Sequence, residues 1–411
     1  MSRTIVIGSG LAGLSAAIRL AEQGVPTTLV TFGNGGLQLS QGTIDVLGYA
    51  PERVDDPIAA IDSLPEKHPY RILGAQAVEE STKWIANIFG PELIEGDPHS
   101  NYLVPTAIGA LRPSAYVMPS MAAGDARKVR SYAVVGIKQI KDFQTSMVAG
   151  NIARTETPDG GKYVTSEALM SPEPRPGEKD PTSYTYARAM KNPQLVSAFA
   201  AELKRVAGEG DVVLVPPVLS YAGVAKQVSE LVGRPVAESI MQPPAAPGRL
   251  MQEYLVAYAK SHGVRYMLDA KVTGLNAEGG RVKSVKVELA GHERVIEADA
   301  VIYAPGGFES GALNMDSHRN ITETVFGLPL SEHNGEDLIT HKQDEPQPLF
   351  EVGVRVDETM RVLDESGKAV YDNFYAAGGL LAGAQRWDEK SGDGIAVASG
   401  KRAAEQVGES K

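Results

Sequence analysis

Residues Thr4–Gly24 read TIVIGSGLAGLSAAIRLAEQG, and their pattern predicts a strand, a glycine turn and a helix. Its first residues, TIVI, form a short apolar run rich in β-branched side chains, as expected for a strand buried on both faces of a parallel sheet. Gly8, Gly10 and Gly13 follow at G-x-G-x-x-G spacing. In that pattern the glycines permit a tight turn, a close approach of the backbone to a pyrophosphate, and close packing of a helix on a strand.

The residues after this turn favour a helix from Leu14 to Glu22, which Gly24 would end. The helix N-terminus then directs its free N–H groups at an anion. A glycine turn between a strand and a helix predicts a Rossmann-like site for a dinucleotide or a flavin, and an ordinary structural turn is the alternative. The predicted cofactor-binding residues of this turn are Gly8, Gly10, Leu11, Ala12 and Gly13.

Composition narrows the class of protein. The chain has 411 residues, of which 43% are apolar and 43 are glycine, as expected for a large α/β protein with two or three domains. A net charge of -11 argues against a nucleic-acid partner. With no cysteine, the chain cannot form a disulfide, a cysteinyl-flavin bond or a cysteine-held iron–sulfur cluster. The sequence has no apolar run of about 18 residues, so it predicts no membrane span. The glycines and charges of the N-terminal stretch do not fit a signal peptide.

The second predicted strand, Val25–Gly33, bears on the choice between a nicotinamide and a flavin cofactor. An NAD site has an Asp or Glu at the end of this strand, which binds the adenosine ribose. Here the position carries Thr31, whose hydroxyl can still contact a ribose as a weaker ligand. The sequence therefore disfavours a nicotinamide cofactor, and Thr31 stays a candidate for the cofactor site.

Three late segments favour a flavin. Ile296–Gly311 and Asn373–Gly383 each read as an apolar strand ending in a Gly-Gly turn, and Ser391–Val407 reads as a helix opened by glycines. The dipole of that helix could stabilise negative charge on a reduced flavin ring. The candidate cofactor-binding residues in these segments are Ala304, Gly306, Gly307, Gly378, Gly379, Gly392, Asp393, Gly394 and Ile395.

In this order, the segments resemble the flavoproteins with two dinucleotide-binding domains. Between them, residues 258–289 predict a helix, a strand and a hairpin that turns at residues 278–280. In such flavoproteins the strand end that corresponds to Ala270–Val272 lies beside the adenine, so the resemblance implies FAD and adds Val272 to the site.

A closer resemblance covers nearly the whole chain. Its most specific segments are LSQGTIDVL (39–47), VVGI with DFQ (134–137 and 142–144) and GVRVDETMR (353–361). They look like the B subunit of bacterial anaerobic glycerol-3-phosphate dehydrogenase. This resemblance implies a flavoprotein subunit that oxidises sn-glycerol 3-phosphate to dihydroxyacetone phosphate, with electrons passed to membrane quinone. It also implies FMN, so FAD and FMN both stay open. Ser40, Gly42 and Thr43 could contact the flavin phosphate or ring edge.

The same landmarks predict the organisation of an α/β protein. Residues 1–105 and 245–411 should form the Rossmann-like flavin-binding domain, and residues 106–244 an inserted α+β cap domain that binds the substrate. Thr157–Tyr184 is rich in Pro, Gly and charged residues and is predicted to be a long loop.

Alcohol oxidation needs a base for the hydroxyl proton and cations for the phosphate. Arg249 sits at a predicted helix start, where a positive charge opposes the helix dipole unless an anion binds there. Arg249 and Arg112 are candidates for contact with the phosphate or the flavin. For each of them, a position on the surface is the alternative. His318 and His333 are candidate bases. The histidine spacings predict no metal site.

The resemblance also implies partners. These are a flavoprotein A-type subunit and an iron–sulfur C-type subunit, in a cytoplasmic complex peripheral to the inner face of the cell membrane, with a small phosphorylated substrate and no nucleic acid. Two alternatives stay open: a flavin electron-relay or assembly subunit without its own substrate site, and a soluble flavin oxidoreductase of the fumarate-reductase type.

Overall fold

The structure, a computed structural model, describes residues 3–342 and 345–409. The strands in chain order are β1 (Thr4–Ile7), β2 (Thr27–Val30), β3 (Thr43–Ile44), β4 (Glu95–Gly96), β5 (Tyr102–Pro105), β6 (Leu111–Ser114), β7 (Tyr116–Val117), β8 (Ser131–Ile137), β9 (Val164–Met170), β10 (Val212–Val215), β11 (Val236–Glu238), β12 (Arg265–Met267), β13 (Ala270–Glu278), β14 (Arg281–Leu289), β15 (His292–Glu297), β16 (Ala300–Tyr303), β17 (Leu313–Met315), β18 (Ile321–Glu323) and β19 (Phe374–Ala376).

The α-helices in chain order are α1 (Leu11–Glu22), α2 (Pro57–Ala60), α3 (Pro69–Leu73), α4 (Ala75–Phe89), α5 (Pro119–Ala122), α6 (Thr145–Arg154), α7 (Ser183–Ala189), α8 (Pro193–Val206), α9 (Val224–Val232), α10 (Ala246–Ser261), α11 (Arg386–Glu389) and α12 (Gly392–Glu409). Among the described residues, none of these helices combines the length and hydropathy needed to cross a membrane.

The chain divides into two compact units. Unit 1 comprises Met1–Leu37, Asp45–Ile85 and Gln252–Lys411, and unit 2 comprises Gln38–Ile44 and Ala86–Met251. The domain boundaries predicted at residues 105 and 244 stay a prediction.

Unit 1 is built on a parallel five-stranded sheet in the order β12-β2-β1-β16-β19. Each neighbouring pair in this sheet is parallel. In chain order the strands occupy positions 3-2-1-4-5, which is the order of a Rossmann fold. The strands β1 and β16 are buried along their whole length, as their continuous apolar sequences predict. The α/β, Rossmann-like class predicted from the glycine turn is therefore confirmed.

Helix α1 begins at Leu11, three residues before the predicted start, so Gly13 lies inside the helix. Helix α12 packs closely against it. A Cβ atom at Gly400 would overlap the backbone carbonyl of Ala12, so only glycine permits this approach of the two helices. The strands β13, β14 and β15 form a separate antiparallel sheet, with the predicted hairpin turn at Gly279 and Gly280.

Unit 2 contains a second parallel sheet, in the order β11-β10-β8-β9. Its core is formed by buried residues of these strands and of the helices between them, among them Tyr132, Val134, Phe199 and Leu214. Unit 2 contains both helices and strands, as predicted for the cap domain. The largest sheet of unit 2 is wholly parallel.

The prediction of a long loop over Thr157–Tyr184 was wrong for its middle part. Strand β9 lies inside this segment and pairs with β8 over seven residues, from Ser131 opposite Val164 to Ile137 opposite Met170. Because β9 is an edge strand with several exposed side chains, its sequence carries the polar residues that resemble a loop.

Candidate functional site

Gly8 and Gly13 are required by the packing of unit 1. Gly8 has a φ angle of +102°, and a Cβ atom there would overlap the carbonyl oxygen of Ala304 at the end of β16. A Cβ atom at Gly13 would overlap the carbonyl oxygen of Gly8. These two glycines bring β1, α1 and β16 to distances that no side chain allows.

Gly10 differs from both. Its backbone is extended, with φ -71° and ψ -179°, and a Cβ atom there would have no atom within 4 Å apart from those of the adjacent residues. Gly10 is the N-cap of α1, where no side chain caps the helix and no acidic residue occupies the first turn. An open cradle at an uncapped helix N-terminus fits the diphosphate of a dinucleotide, which would receive the backbone N–H groups and the favourable end of the helix dipole.

The predicted glycine turns converge beside this cradle. Ala12, Ala304 and Ala377 form one buried cluster. The Cβ of Ala12 lies 2.7 Å from where a Cβ would stand on Gly378. The first turn of α1 therefore meets the turns that follow β16 and β19, at the carboxyl ends of the parallel strands, where open α/β sheets bind ligands.

The turns after β16 and β19 also meet each other. A Cβ atom at Gly307 would lie 2.9 Å from the Gly379 carbonyl oxygen and 3.0 Å from Nη2 of Arg386. Arg386, which the sequence did not single out, donates a hydrogen bond to the Gly379 carbonyl and lies 3.5 Å from Glu309. Burial lowers the pKa of this guanidinium, against the raising effect of Glu309 and Glu389. A nearly buried cation is thus held between two predicted cofactor turns.

The start of α12 is fixed by backbone contacts. The Asp393 carboxylate accepts a hydrogen bond from the Asp45 N–H at 3.2 Å, and the Gly394 N–H donates to the Asp45 carbonyl at 3.0 Å. The Tyr70 hydroxyl shares its proton between the carbonyl oxygens of Val46 and Ser391, and it occupies the place of a Cβ on Gly394. Burial, followed by the charges of nearby carboxylates, raises the pKa of Tyr70 well above its usual value, so the hydroxyl stays protonated as a donor.

A buried histidine supports the same region. His68 accepts the Tyr70 N–H at Nδ1 and contacts Glu389 from Nε2 at 3.1 Å, so the ring is the tautomer protonated at Nε2. Burial alone would raise the pKa of Glu389, but hydrogen bonds led by that from His68 hold it below its usual value. No local pattern in the sequence points to this pair, because its members are distant in the chain.

Thr31 is buried at the end of β2. Its hydroxyl donates to the Gly33 carbonyl at 2.6 Å and lies 3.1 Å from the hydroxyl of Ser9. Ser9 in turn accepts the Gly35 N–H at 3.0 Å. Because the Thr31 proton is engaged, this hydroxyl can only accept a hydrogen bond from a ribose. Val272 is buried in β13, which begins where the Ala270 N–H bonds the Thr31 carbonyl.

Unit 2 groups another set of predicted residues. Thr43 is buried in β3, and the Ser40 hydroxyl accepts the Gly42 N–H. A Cβ atom at Gly42, whose φ is +93°, would overlap Pro247 in the first turn of α10. The guanidinium of Arg112 lies 2.9 Å from the side-chain oxygen of Gln41, with the Gln41 amide oriented to accept.

Arg249 occupies the first turn of α10, as the sequence predicted, and is exposed. Its guanidinium lies over the ring of Tyr184, 4.7 Å from the ring centroid. This cation–π contact fixes the direction of the side chain near a helix N-terminus, where an anion would be favoured.

The two candidate bases lie on exposed turns of unit 1. His318 is in the turn between β17 and β18, and His333 lies 3.9 Å from Glu365 with its side chain 56% exposed. Neither histidine is held in a buried or hydrogen-bonded orientation that general base catalysis favours, and their role stays a prediction. Within residues 3–342 and 345–409, no group of three or more His, Asp or Glu side chains is placed to hold a metal ion.

Comparisons with known proteins agree with this geometry. Residues 3–395 match the family model described as an FAD binding domain. The probable B subunit of anaerobic glycerol-3-phosphate dehydrogenase from Halobacterium salinarum is 31% identical, over 97% of this chain and 96% of that protein. The B subunit of anaerobic glycerol-3-phosphate dehydrogenase from Aliivibrio fischeri is 26% identical over 98% and 94%, and that from Yersinia enterocolitica is 27% identical over 98% and 97%.

Proposed function

Because this chain belongs to the family of the anaerobic glycerol-3-phosphate dehydrogenase B subunits, we propose that it takes part in oxidising sn-glycerol 3-phosphate to dihydroxyacetone phosphate. It is a flavin-dependent oxidoreductase, and the family match to an FAD binding domain favours FAD over FMN. The naming of its relatives as one subunit implies an enzyme of several subunits.

The cofactor proposal rests on a difference in free space among the glycines of the G-x-G-x-x-G turn, Gly8, Gly10 and Gly13. Gly8 and Gly13 are closed by neighbouring backbone, whereas Gly10 faces open space at an uncapped helix N-terminus. This is the arrangement that a bound diphosphate needs, because the phosphates must approach the backbone without displacing it.

The chain's own groups would then divide the work. The N-terminus of α1 stabilises the diphosphate, and the turn at Gly378–Gly379 packs against the first turn of α1. When bound, FAD supplies the acceptor for the two electrons removed from the secondary alcohol. Arg249 and Arg112 of unit 2 bind the substrate phosphate through charge-assisted hydrogen bonds.

The partners follow from what this chain lacks. A chain without cysteine cannot hold a cysteine-ligated cluster for one-electron transfer to a quinone. We therefore propose an A-type flavoprotein and a C-type iron–sulfur subunit as partners, with the complex on the inner face of the cell membrane through those partners.

Anaerobic titration of the FAD-loaded chain with sn-glycerol 3-phosphate tests the reaction. Loss of the oxidised flavin absorbance, with an equivalent amount of dihydroxyacetone phosphate, is the expected result. Glycerol, which lacks the phosphate, is the matched control and should leave the flavin oxidised. A flavin that stays oxidised in the isolated chain but is reduced in the assembled complex would contradict a substrate site in this chain and favour the electron-relay alternative.

A further inference from the structure

Gln252 approaches the glycine fingerprint from a distant part of the chain. It lies in α10, and its Nε2 donates a hydrogen bond to the backbone carbonyl of Ser9 at 3.1 Å. Ser9 stands between Gly8 and Gly10, so this side chain touches the turn that forms the cradle. The residue lies 243 positions from Ser9, and the sequence did not single it out.

The contact with Ser9 fixes the orientation of the Gln252 amide. A backbone carbonyl can only accept, so the amide must present its NH₂ group to Ser9 and its oxygen elsewhere. Gln252 is only 4% exposed, and its Oε1 has no hydrogen-bond partner within the described part of the chain. A buried acceptor without a donor is unfavourable, and proteins rarely leave one unsatisfied.

The neighbouring groups do not supply that donor. The Ser9 hydroxyl lies within hydrogen-bonding distance of the Gly33 carbonyl and the Thr31 hydroxyl, and it accepts the Gly35 N–H. A diphosphate cannot satisfy Oε1 either, because its oxygens only accept near neutral pH. The groups bonded directly to the diphosphate of a flavin dinucleotide are sugar chains, and their hydroxyls donate.

We propose that Gln252 is a cofactor-binding residue whose Oε1 accepts a hydrogen bond from a sugar hydroxyl of the bound flavin nucleotide, while its Nε2 holds the Ser9 carbonyl. The hydroxyl belongs either to the ribityl chain or to the adenosine ribose. The inference rests on the proposed function only in that the chain binds FAD.

Titration of the apoprotein with FAD and with FMN, followed by flavin fluorescence, tests the proposal. Gln252→Met keeps the length of the side chain and removes both hydrogen-bonding groups. Gln252→Asn keeps the amide on a side chain one methylene shorter. We expect each variant to bind FAD roughly five- to tenfold more weakly than wild type, which corresponds to one lost hydrogen bond. Ser239→Ala is the control, because it removes a buried hydroxyl of unit 2 that also has no partner among the described residues.

The two ligands identify the donor. Weaker binding of FAD alone supports a contact with the adenosine ribose, and weaker binding of both ligands supports the ribityl chain. Thermal melting separates binding from a purely structural role. A structural glutamine would lower the melting temperature of the apoprotein and leave the increase on adding FAD unchanged, which would overturn the proposal. Wild-type affinity in both variants would also overturn it, whereas a wild-type chain that binds no flavin would overturn the cofactor assignment as well.

Discussion

The two parallel sheets differ in how their first strand connects to the helix that follows it. In unit 1 only Gly8, Ser9 and Gly10 separate β1 from α1. In unit 2 the seven residues KQIKDFQ (138–144) separate β8 from α6, and the place of a Cβ on Gly136 is filled by the hydroxyl of Thr145. Both helices lack a side-chain cap, and in unit 1 the short glycine connection leaves open space at Gly10 against the helix N-terminus. The two sheets share their parallel strand arrangement, and we propose that the glycine connection is what allows unit 1 to bind a dinucleotide.

The largest expected effect is that of Gly10→Val. Its side chain would fill the space in which the diphosphate must lie, so we expect FAD binding to weaken more than about a thousandfold, or about 4 kcal/mol. The open surroundings of Gly10 predict little change in the stability of the apoprotein. Flavin titration and thermal melting measure the two effects. If the Gly10→Val variant binds FAD with the affinity of wild type, the glycine turn has only a structural role.

Gly13→Ala provides the opposite case. The new Cβ would collide with the Gly8 carbonyl, so the free energy of unfolding of the apoprotein should fall by about 3 kcal/mol. Urea denaturation without cofactor measures this change, and Gly10→Ala is the matched control. Equal stability of the two alanine variants would contradict the division of roles between these glycines.

Unit 2 contains a fully buried carboxyl group, from which we predict that stability depends on pH. Glu238 accepts hydrogen bonds from the Leu219 N–H and the Ser220 hydroxyl, and burial raises its pKa from 4.5 to about 7. A carboxyl with a raised pKa stabilises the fold most below pH 4.5, and this contribution is lost as the pH rises through 7. Between those limits the free energy of unfolding of wild type, relative to Glu238→Gln, should fall by about 3 kcal/mol. Urea denaturation of both proteins at pH 5 and pH 8 checks the sign, and a difference that rises with pH would refute it.

The smallest effect is expected from Arg249→Ala. Loss of a charge-assisted hydrogen bond should weaken the handling of the phosphorylated substrate by about 2 kcal/mol, seen in kcat/KM of the assembled enzyme. Flavin content should stay that of wild type. As a control, Arg188→Ala removes a cation that also contacts Tyr184, at 5.7 Å from the ring. Equal values of kcat/KM in both variants would indicate that Arg249 is a surface residue that does not bind the substrate.

The local parts of the fold were predictable from the sequence. Strand β1, helix α1 and the glycine-opened helix α12 each carry their signal within about 20 neighbouring residues, in apolar runs and glycine spacing. Strand β9 of the unit 2 sheet was not predicted. It is an exposed edge strand, and its polar residues led to the prediction of a loop.

Parts of the candidate site depend on contacts between distant residues and could not be predicted in this way. Arg386 reaches Glu309, His68 reaches Glu389, and Gln252 reaches Ser9, each only after the chain has folded. Thr31 was correctly placed at the end of β2, but its bond to Gly33 depends on the conformation of the following loop.

The decisive measurement is the identity of the flavin released by acid from the purified chain, and from its Gly10→Val variant as a control. A chain without cysteine cannot form a cysteinyl-flavin bond, and we expect acid precipitation to release the cofactor into the supernatant. Chromatography against FAD and FMN standards should then identify FAD from the wild type and no flavin from the variant. FMN alone, or a wild-type chain that stays colourless after incubation with FAD, would contradict a dinucleotide held at the turn after β1.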